Sequence, residues 1–279
     1  MEGRVIKLIS NKWTVLVNGN YIECESVGKL KYLKQSPLVG DMVIIDEETN
    51  MIKEILPRKN SLIRPPVTNI DQALILTSCK EPDFSSNLLD KMLVVIEYNN
   101  ITPVICFTKY DLLEDTKEID SIIDYYRSIG YLVYINSSIN DIKKIFKNKI
   151  SVLTGQTGVG KSSLLNSLKN DLNLPTGEIS KALGRGKHTT RHVELLEIEG
   201  GLVADTPGFS SLDFIDMNKK DIKDNFIEFY KNEDKCKYKD CLHLKEDGCY
   251  IKEMVSNKEI LNSRYENYVN FIEKIENKR

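Results

Sequence analysis

The chain has 279 residues, 41% of them hydrophobic and 29% charged, with a formal net charge of −2. That profile belongs to a soluble folded protein and excludes collagen-like, low-complexity and disordered classes. No apolar run approaches the roughly 20 residues that span a bilayer, and Met1-Glu2-Gly3-Arg4 lacks a secretory pattern, so a cytoplasmic protein with no membrane partner is expected.

Segments 1–66, 67–215 and 216–279 carry +2, −4 and 0, so any nucleic-acid contact must use local patches rather than a global field. The same divisions mark changes of pattern, and three domains are expected at them. In the first, Arg4–Ile9, Trp13–Asn18, Tyr21–Cys24 and Met42–Asp46 are strand-like runs separated by turn formers. Trp13, Val15 and Val17 alternate with Thr14, Leu16 and Asn18, the period of a half-buried strand. Short strands in this length suit a small barrel of OB type, and equally an SH3-like one. Trp13 and Tyr21, with Lys12, Lys29, Lys31 and Lys34, could form a nucleic-acid surface, although the alternation fits burial of Trp13 as well. Pro57 to Pro66 is punctuated like a linker.

From Asp71 to about Asp213, short apolar runs alternate with helical spacing. Ala73–Thr77, Thr102–Phe107, Leu132–Ile135 and Ile150–Thr154 are predicted strands, and Ser85–Tyr98 and Ile119–Ser128 predicted helices. His192–Ile198 and Leu202–Asp205 flank Glu199-Gly200-Gly201 as a predicted hairpin. The pattern is that of an α/β domain on a mostly parallel sheet. A polar helical stretch follows Asp216, then a cysteine cluster, and then a final helix predicted near Lys258–Lys278.

Gly155-Gln156-Thr157-Gly158-Val159-Gly160-Lys161-Ser162 fits the phosphate-loop pattern GxxxxGK[ST], between a predicted strand and a predicted helix, with Ser163 next in line. Glycines let backbone amides curl around phosphates, Lys161 can reach the β/γ oxygens, and the Ser162 hydroxyl can ligate Mg²⁺. Thr108-Lys109-Tyr110-Asp111 follows a strand at the end where open α/β sheets bind ligands. It resembles the guanine-reading Asn-Lys-x-Asp motif, with Thr in place of Asn. A carboxylate at Asp111 would pair with donors that guanine has and adenine lacks, and Ser137-Ser138 would add weak base contacts.

Asp205-Thr206-Pro207-Gly208 fits DxxG, in which Asp205 would hold Mg²⁺ through water and the Gly208 amide would sense the γ-phosphate. Between the two motifs, Gly184 to Arg191 spans a switch loop in which Thr190, with Thr189 close behind, would close over Mg²⁺. The residue after DxxG is Phe209, which cannot orient water as the Gln of many GTPases does. His188, beside the switch threonines, is the candidate for that role, with RNA contact or simple solvation as the other readings. Arg185, Lys187 and Arg191 are either a solvated loop or phosphate-backbone contacts. His192 has no assigned role.

Cys236, Cys241, His243 and Cys249 have the spacing C-x₄-C-x-H-x₅-C. Four such ligands within 14 residues suit one tetrahedral, structural Zn²⁺ and compensate for a segment too charged to bury much core. Cys24, Cys79 and Cys106 lie in strand-like contexts as packing residues.

In ordinary GTPases the phosphate loop precedes the base motif; here the base motif comes first, by more than 40 residues. That order is explained by circular permutation. The permuted order, the barrel before it and the cysteines after it together resemble the ribosome-small-subunit-dependent GTPase family (RsgA) over essentially the whole chain. TKxD, GQTGVGKSS, GRGKHTT, DTPGF and the cysteine spacing carry the likeness. The resemblance implies a multidomain α/β protein: an OB-type barrel, a circularly permuted P-loop GTPase domain and an α-helical zinc domain. It also implies GTP hydrolysis stimulated by the small ribosomal subunit, a role in that subunit's late maturation and contact with its rRNA. A monomer is expected. Two other classes remain open: an rRNA-binding scaffold whose nucleotide pocket is structural, and an ATP-dependent enzyme, against which Asp111 argues.

Overall fold

The computed structural model describes residues 1–32, 35–63, 66–168, 193–205 and 213–277. Strands β1 (Glu2–Ile9), β2 (Lys12–Val17), β3 (Asn20–Ser26), β4 (Met42–Ile45) and β5 (Met51–Ile55) close on themselves in the order β1-β2-β3-β5-β4-β1. All neighbours are antiparallel except β3 and β5. A parallel pair needs a crossover, and helix α1 (Gly28–Tyr32) with β4 supplies it. This is the OB arrangement, not the all-antiparallel SH3-like alternative.

Alternation along β2 turns Trp13, Val15 and Val17 into the barrel. The Trp13 indole N–H is spent on the Pro37 carbonyl at 2.9 Å, and the ring, only 3% exposed, presents no face for stacking. Tyr21, 62% exposed, does.

The segment expected to be a linker is a packed hairpin, β6 (Ser61–Ile63) with β7 (Pro66–Thr68), which buries Leu62 and Val67. The reason is Asp41, fully buried on the barrel side. It accepts from Arg58 Nε and Nη2 at 2.7 and 2.8 Å, Thr68 Oγ1 at 2.7 Å and the Leu38 amide at 2.7 Å. A buried carboxylate satisfied four times ties the segment down. Gly40 makes the approach possible: its φ is +97, and a Cβ there would lie 2.1 Å from the Thr68 oxygen.

The α/β part follows: β8 (Gln72–Ser78), α2 (Ser86–Tyr98), β9 (Thr102–Thr108), α3 (Lys117–Ile129), β10 (Leu132–Ile135), α4 (Ile139–Ile145), β11 (Ile150–Thr154), α5 (Lys161–Leu168), β12 (Glu194–Ile198) and β13 (Gly201–Asp205). The sheet order is β10-β9-β8-β11-β13-β12, parallel throughout except for the β12–β13 hairpin. Strands β8 and β11 are buried along their whole length, as expected when helices cover both faces. Helices α4 and α5 pack Phe146, Leu164, Leu165 and Leu168 against Leu74, Leu76, Val104 and Val203 on one face. Helices α2 and α3 cover the other. Strand β12 also meets β1 at Lys7↔Glu194, with an ion pair of 2.7 Å, so barrel and α/β sheet are continuous.

The chain then forms α6 (Lys219–Asp224), α7 (Ile227–Tyr230), α8 (Tyr250–Ser256) and α9 (Asn262–Glu276). Asn218 and Asp221 make a capping box at the start of α6. The final helix starts later than predicted, beyond Lys258, which lies at φ +62. These helices share a core with α2 and α3. Phe214 packs tilted against Phe271 (5.0 Å between centroids), Phe226 stacks on Phe229 (5.0 Å), and Lys231 Nζ donates to the Ile129 carbonyl (3.0 Å) at the end of α3. At the centre, Arg264 Nη1 donates to Asp90 Oδ1 of α2 (2.6 Å), and its Nε and Nη2 donate to Glu228 (2.6 and 3.1 Å). Among the described residues, no helix is long and apolar enough to cross a membrane.

Candidate functional site

Parallel strands put their carboxyl ends on one edge, and β8, β9, β10, β11 and β13 end together there. Ligands bind at such edges. The edge collects Thr108–Asp111 at and just past the end of β9, Ser137 and Ser138 after β10, residues 155–163 after β11, and Asp205 at the end of β13. Motifs far apart in the chain therefore meet. His188, Thr189, Thr190, Arg185, Lys187, Arg191, His192, Gly208 and Phe209 lie outside the described residues.

The phosphate loop opens at Gly155, which has φ +149. A Cβ there would lie 2.4 Å from the Leu76 carbonyl oxygen, so glycine is required twice over. Lys161 folds back over the loop, its ammonium donating to the Gly155 and Gln156 carbonyls at 2.6 and 2.8 Å. Burial lowers this lysine to about 8, and an adjacent phosphate would favour the charged form again. Thr157 and Gly158 are exposed at the loop crest, and Ser162 and Ser163 lie in the first turn of α5. The Val159 side chain is buried among the core residues of α4 and α5.

Thr108 is buried, and its hydroxyl donates to the Val159 carbonyl at 2.7 Å. The first residue of the base motif is thus spent on tying that motif to the phosphate loop. Lys109 takes a left-handed conformation, φ +57. Tyr110 OH donates to Asp120 Oδ1 of α3 at 2.7 Å, while Asp111 lies exposed in a short 3-10 turn, Tyr110–Leu112. Ser137 and Ser138 are exposed just before α4. Sequence reasoning missed Asp120 as the partner of Tyr110, and also missed the turn after β8, whose position at a strand's carboxyl end was the available signal.

A second site lies in the carboxy-terminal helices. The ligand atoms of Cys236, Cys241, His243 and Cys249 all fall within 4.8 Å of one another. Cys236 Sγ and Cys249 Sγ are 3.6 and 3.4 Å from His243 Nδ1. Tetrahedral bonds of roughly 2.3 Å to sulfur and 2.0 Å to nitrogen put ligand atoms about 3.5 Å apart, so the residues fit a metal ion bound through Nδ1. The turn that carries them is fixed from within and without: Glu246 accepts from the Leu242 and Leu244 amides (2.8 Å each), and Tyr265 OH of the final helix donates to the His243 carbonyl (2.7 Å). Cys24, Cys79 and Cys106 are buried thiols away from this cluster.

Comparison with known proteins agrees with this layout. Residues 55–215 match the family model described as RsgA GTPase, and residues 2–52 match that of the RsgA N-terminal domain. The small ribosomal subunit biogenesis GTPase RsgA of Bacillus subtilis is 45% identical, the match covering 100% of this chain and 98% of that one. Its namesake from Enterococcus faecalis is 42% identical over 100% and 97%. Among solved structures, YloQ, described as a circularly permuted GTPase, superposes with TM-score 0.85 at 40% identity, covering 100% of this chain and 96% of that one. YjeQ from Thermotoga maritima gives TM-score 0.85 at 34% identity, with 100% and 99% covered. The barrel, the sheet whose motif order is rotated relative to ordinary GTPases, and the full-length likeness lead to one assignment: the chain belongs to the RsgA GTPase family.

Proposed function

We propose that this chain is a cytoplasmic, monomeric GTP hydrolase that docks on the small ribosomal subunit through its rRNA and acts late in that subunit's maturation. The observation that carries the nucleotide part is the Thr108–Val159 hydrogen bond of 2.7 Å, which joins a guanine-type motif to a phosphate loop across adjoining loops of one sheet edge. The partner is supported by the names of the full-length relatives, small ribosomal subunit biogenesis GTPases.

In this reading Asp111 pairs with the guanine edge, the Lys109 stem packs along the base, and Ser137 and Ser138 border it. Amides of 155–163 wrap the phosphates, and Lys161 neutralises charge that grows on them in the transition state. Mg²⁺, when bound, neutralises the phosphate oxygens, and the donors that would hold it are Ser162, Thr190 and Asp205. His188 orients the attacking water once a partner orders its loop, and Arg185, Lys187 and Arg191 contact rRNA phosphates. The Gly208 amide reports the γ-phosphate. The metal of the Cys₃His cluster is zinc: soft thiolates and one imidazole in a closed four-ligand set leave no position for catalysis.

The γ-phosphate would favour a docking-competent shape, and hydrolysis would release it. Co-sedimentation with purified small subunits tests this. The form loaded with a non-hydrolysable GTP analogue is expected to bind at least tenfold more tightly than the GDP form, a difference of about 1.4 kcal/mol. Equal binding of the two forms would remove the switch.

A further inference from the structure

The turn between β8 and α2, Cys79–Ser85, belongs to none of the sequence motifs, yet it is bonded to the base motif and lies beside the phosphate loop. At its start the Cys79 amide donates to the Thr108 carbonyl (2.9 Å), and the Ser78 hydroxyl donates to the Lys80 carbonyl (2.7 Å). Lys80 Nζ reaches the Leu112 carbonyl at 3.4 Å, just past Asp111. Glu81 sits at φ +54, and its carbonyl accepts from the Lys109 ammonium. The next residue, Pro82, faces the phosphate loop: a Cβ on Gly158 would lie 3.8 Å from Pro82 Cδ. Beyond it, Phe84 stacks on Phe107 of β9 with centroids 5.7 Å apart. Ser85 then caps α2, its side chain accepting from the Leu88 amide at 3.3 Å. Both ends of the turn are therefore anchored, and its middle is bonded to the base motif and faces the phosphate loop.

We infer that this turn is a third wall of the nucleotide pocket, in which the Glu81 carbonyl holds the Lys109 side chain in place for the base and Pro82 seats the turn against the phosphate loop. The inference rests on the guanine-nucleotide reading above. A lysine stem has many rotamers, and one that must lie along a base loses that freedom on binding unless something fixes it beforehand. A carbonyl bonded to its ammonium does so, which is preorganisation. Glu81 and Pro82 are positioning residues: they act through Lys109. Proline limits the turn's freedom, and glycine in its place restores it.

A double-mutant cycle on the full-length protein tests this, with fluorescent GDP as the probe and pyrophosphate as a competitor that reads the phosphate loop alone. Pro82→Gly and Lys109→Met, which keeps the stem and loses the ammonium, are each expected to weaken GDP binding about tenfold. The double variant is expected to be weaker by about tenfold as well, because the two changes break one shared contact. Pyrophosphate affinity stays at the wild-type value throughout. A double variant weaker by about a hundredfold, the additive result, would overturn the inference. So would a Pro82→Gly variant with wild-type GDP affinity, or one that loses pyrophosphate binding in parallel. Pro82→Ala enters the same cycle if the glycine variant does not fold. Equal wild-type affinity for GDP and ADP would instead bring down the guanine reading itself, a result visible before any variant is made.

Discussion

Lys161→Ala is expected to lower GTP turnover by about 10²–10³-fold, the effect of removing one preorganised charge donor from a transition state. The structure adds a second reason. The ammonium closes the phosphate loop through the Gly155 and Gln156 carbonyls, so alanine also frees the loop to adopt shapes that do not fit phosphates. Arginine should not rescue it, because a planar guanidinium cannot replace a compact ammonium in that fold-back. Steady-state phosphate release, with a thermal melt to confirm folding, reads the result. Wild-type turnover with folding intact would remove Lys161 from the chemistry, whereas wild-type-like function of the variant with turnover lost would favour a scaffold whose pocket serves only the fold.

Arg264→Met is expected to destabilise the protein by about 3–5 kcal/mol, the range for breaking a buried ion pair from one side. At roughly 2–4 °C per kcal/mol for a protein of this size, the melting midpoint should fall by about 6–20 °C. Arg264 is fully buried and sits between two carboxylates, Asp90 and Glu228, also buried. Burial raises the Asp90 carboxyl from its ordinary range, while Arg264, the Tyr126 hydroxyl and the Asn267 amide all favour its charged form. Without the guanidinium, two buried acids lose their shared counter-charge and keep, among the described residues, Tyr125, Tyr126 and Asn267 as donors. Adding Asp90→Asn and Glu228→Gln should therefore restore much of the loss, since neutral groups of the same shape need no counter-charge. A drop of under 1 kcal/mol for Arg264→Met would show that the cluster does not hold the carboxy-terminal helices to α2.

These two residues mark the limits of what the sequence discloses. Lys161 is legible because a phosphate loop is local: glycines, lysine and serine fall within eight positions, between a strand pattern and a helix pattern. The Cys₃His set is legible for the same reason, and the alternation of apolar runs gives the parallel sheet. Arg264 is not legible, because Asp90 lies 174 residues away and Glu228 lies 36 away, and nothing near any of the three marks it as buried. The stretch 57–66 misleads for a related reason. Its prolines and charges read as a linker, but Arg58 finds Asp41 across 17 positions and the charges become fasteners. Strand alternation leaves Trp13 either in or out; the barrel's closure, with the Pro37 carbonyl waiting for its N–H, decides it. Tyr110 illustrates the finer grain: the motif predicts a base-reading turn, but only the position of α3 reveals that its hydroxyl is tied to Asp120.

The most direct test is phosphate release from GTP and from ATP, alone and with purified small or large ribosomal subunits. The expected result is hydrolysis of GTP and not ATP, slow for the protein alone and strongly stimulated by small subunits only. Stimulation by neither subunit would remove the ribosome as activator, and equal hydrolysis of ATP would contradict the guanine pocket built on Asp111.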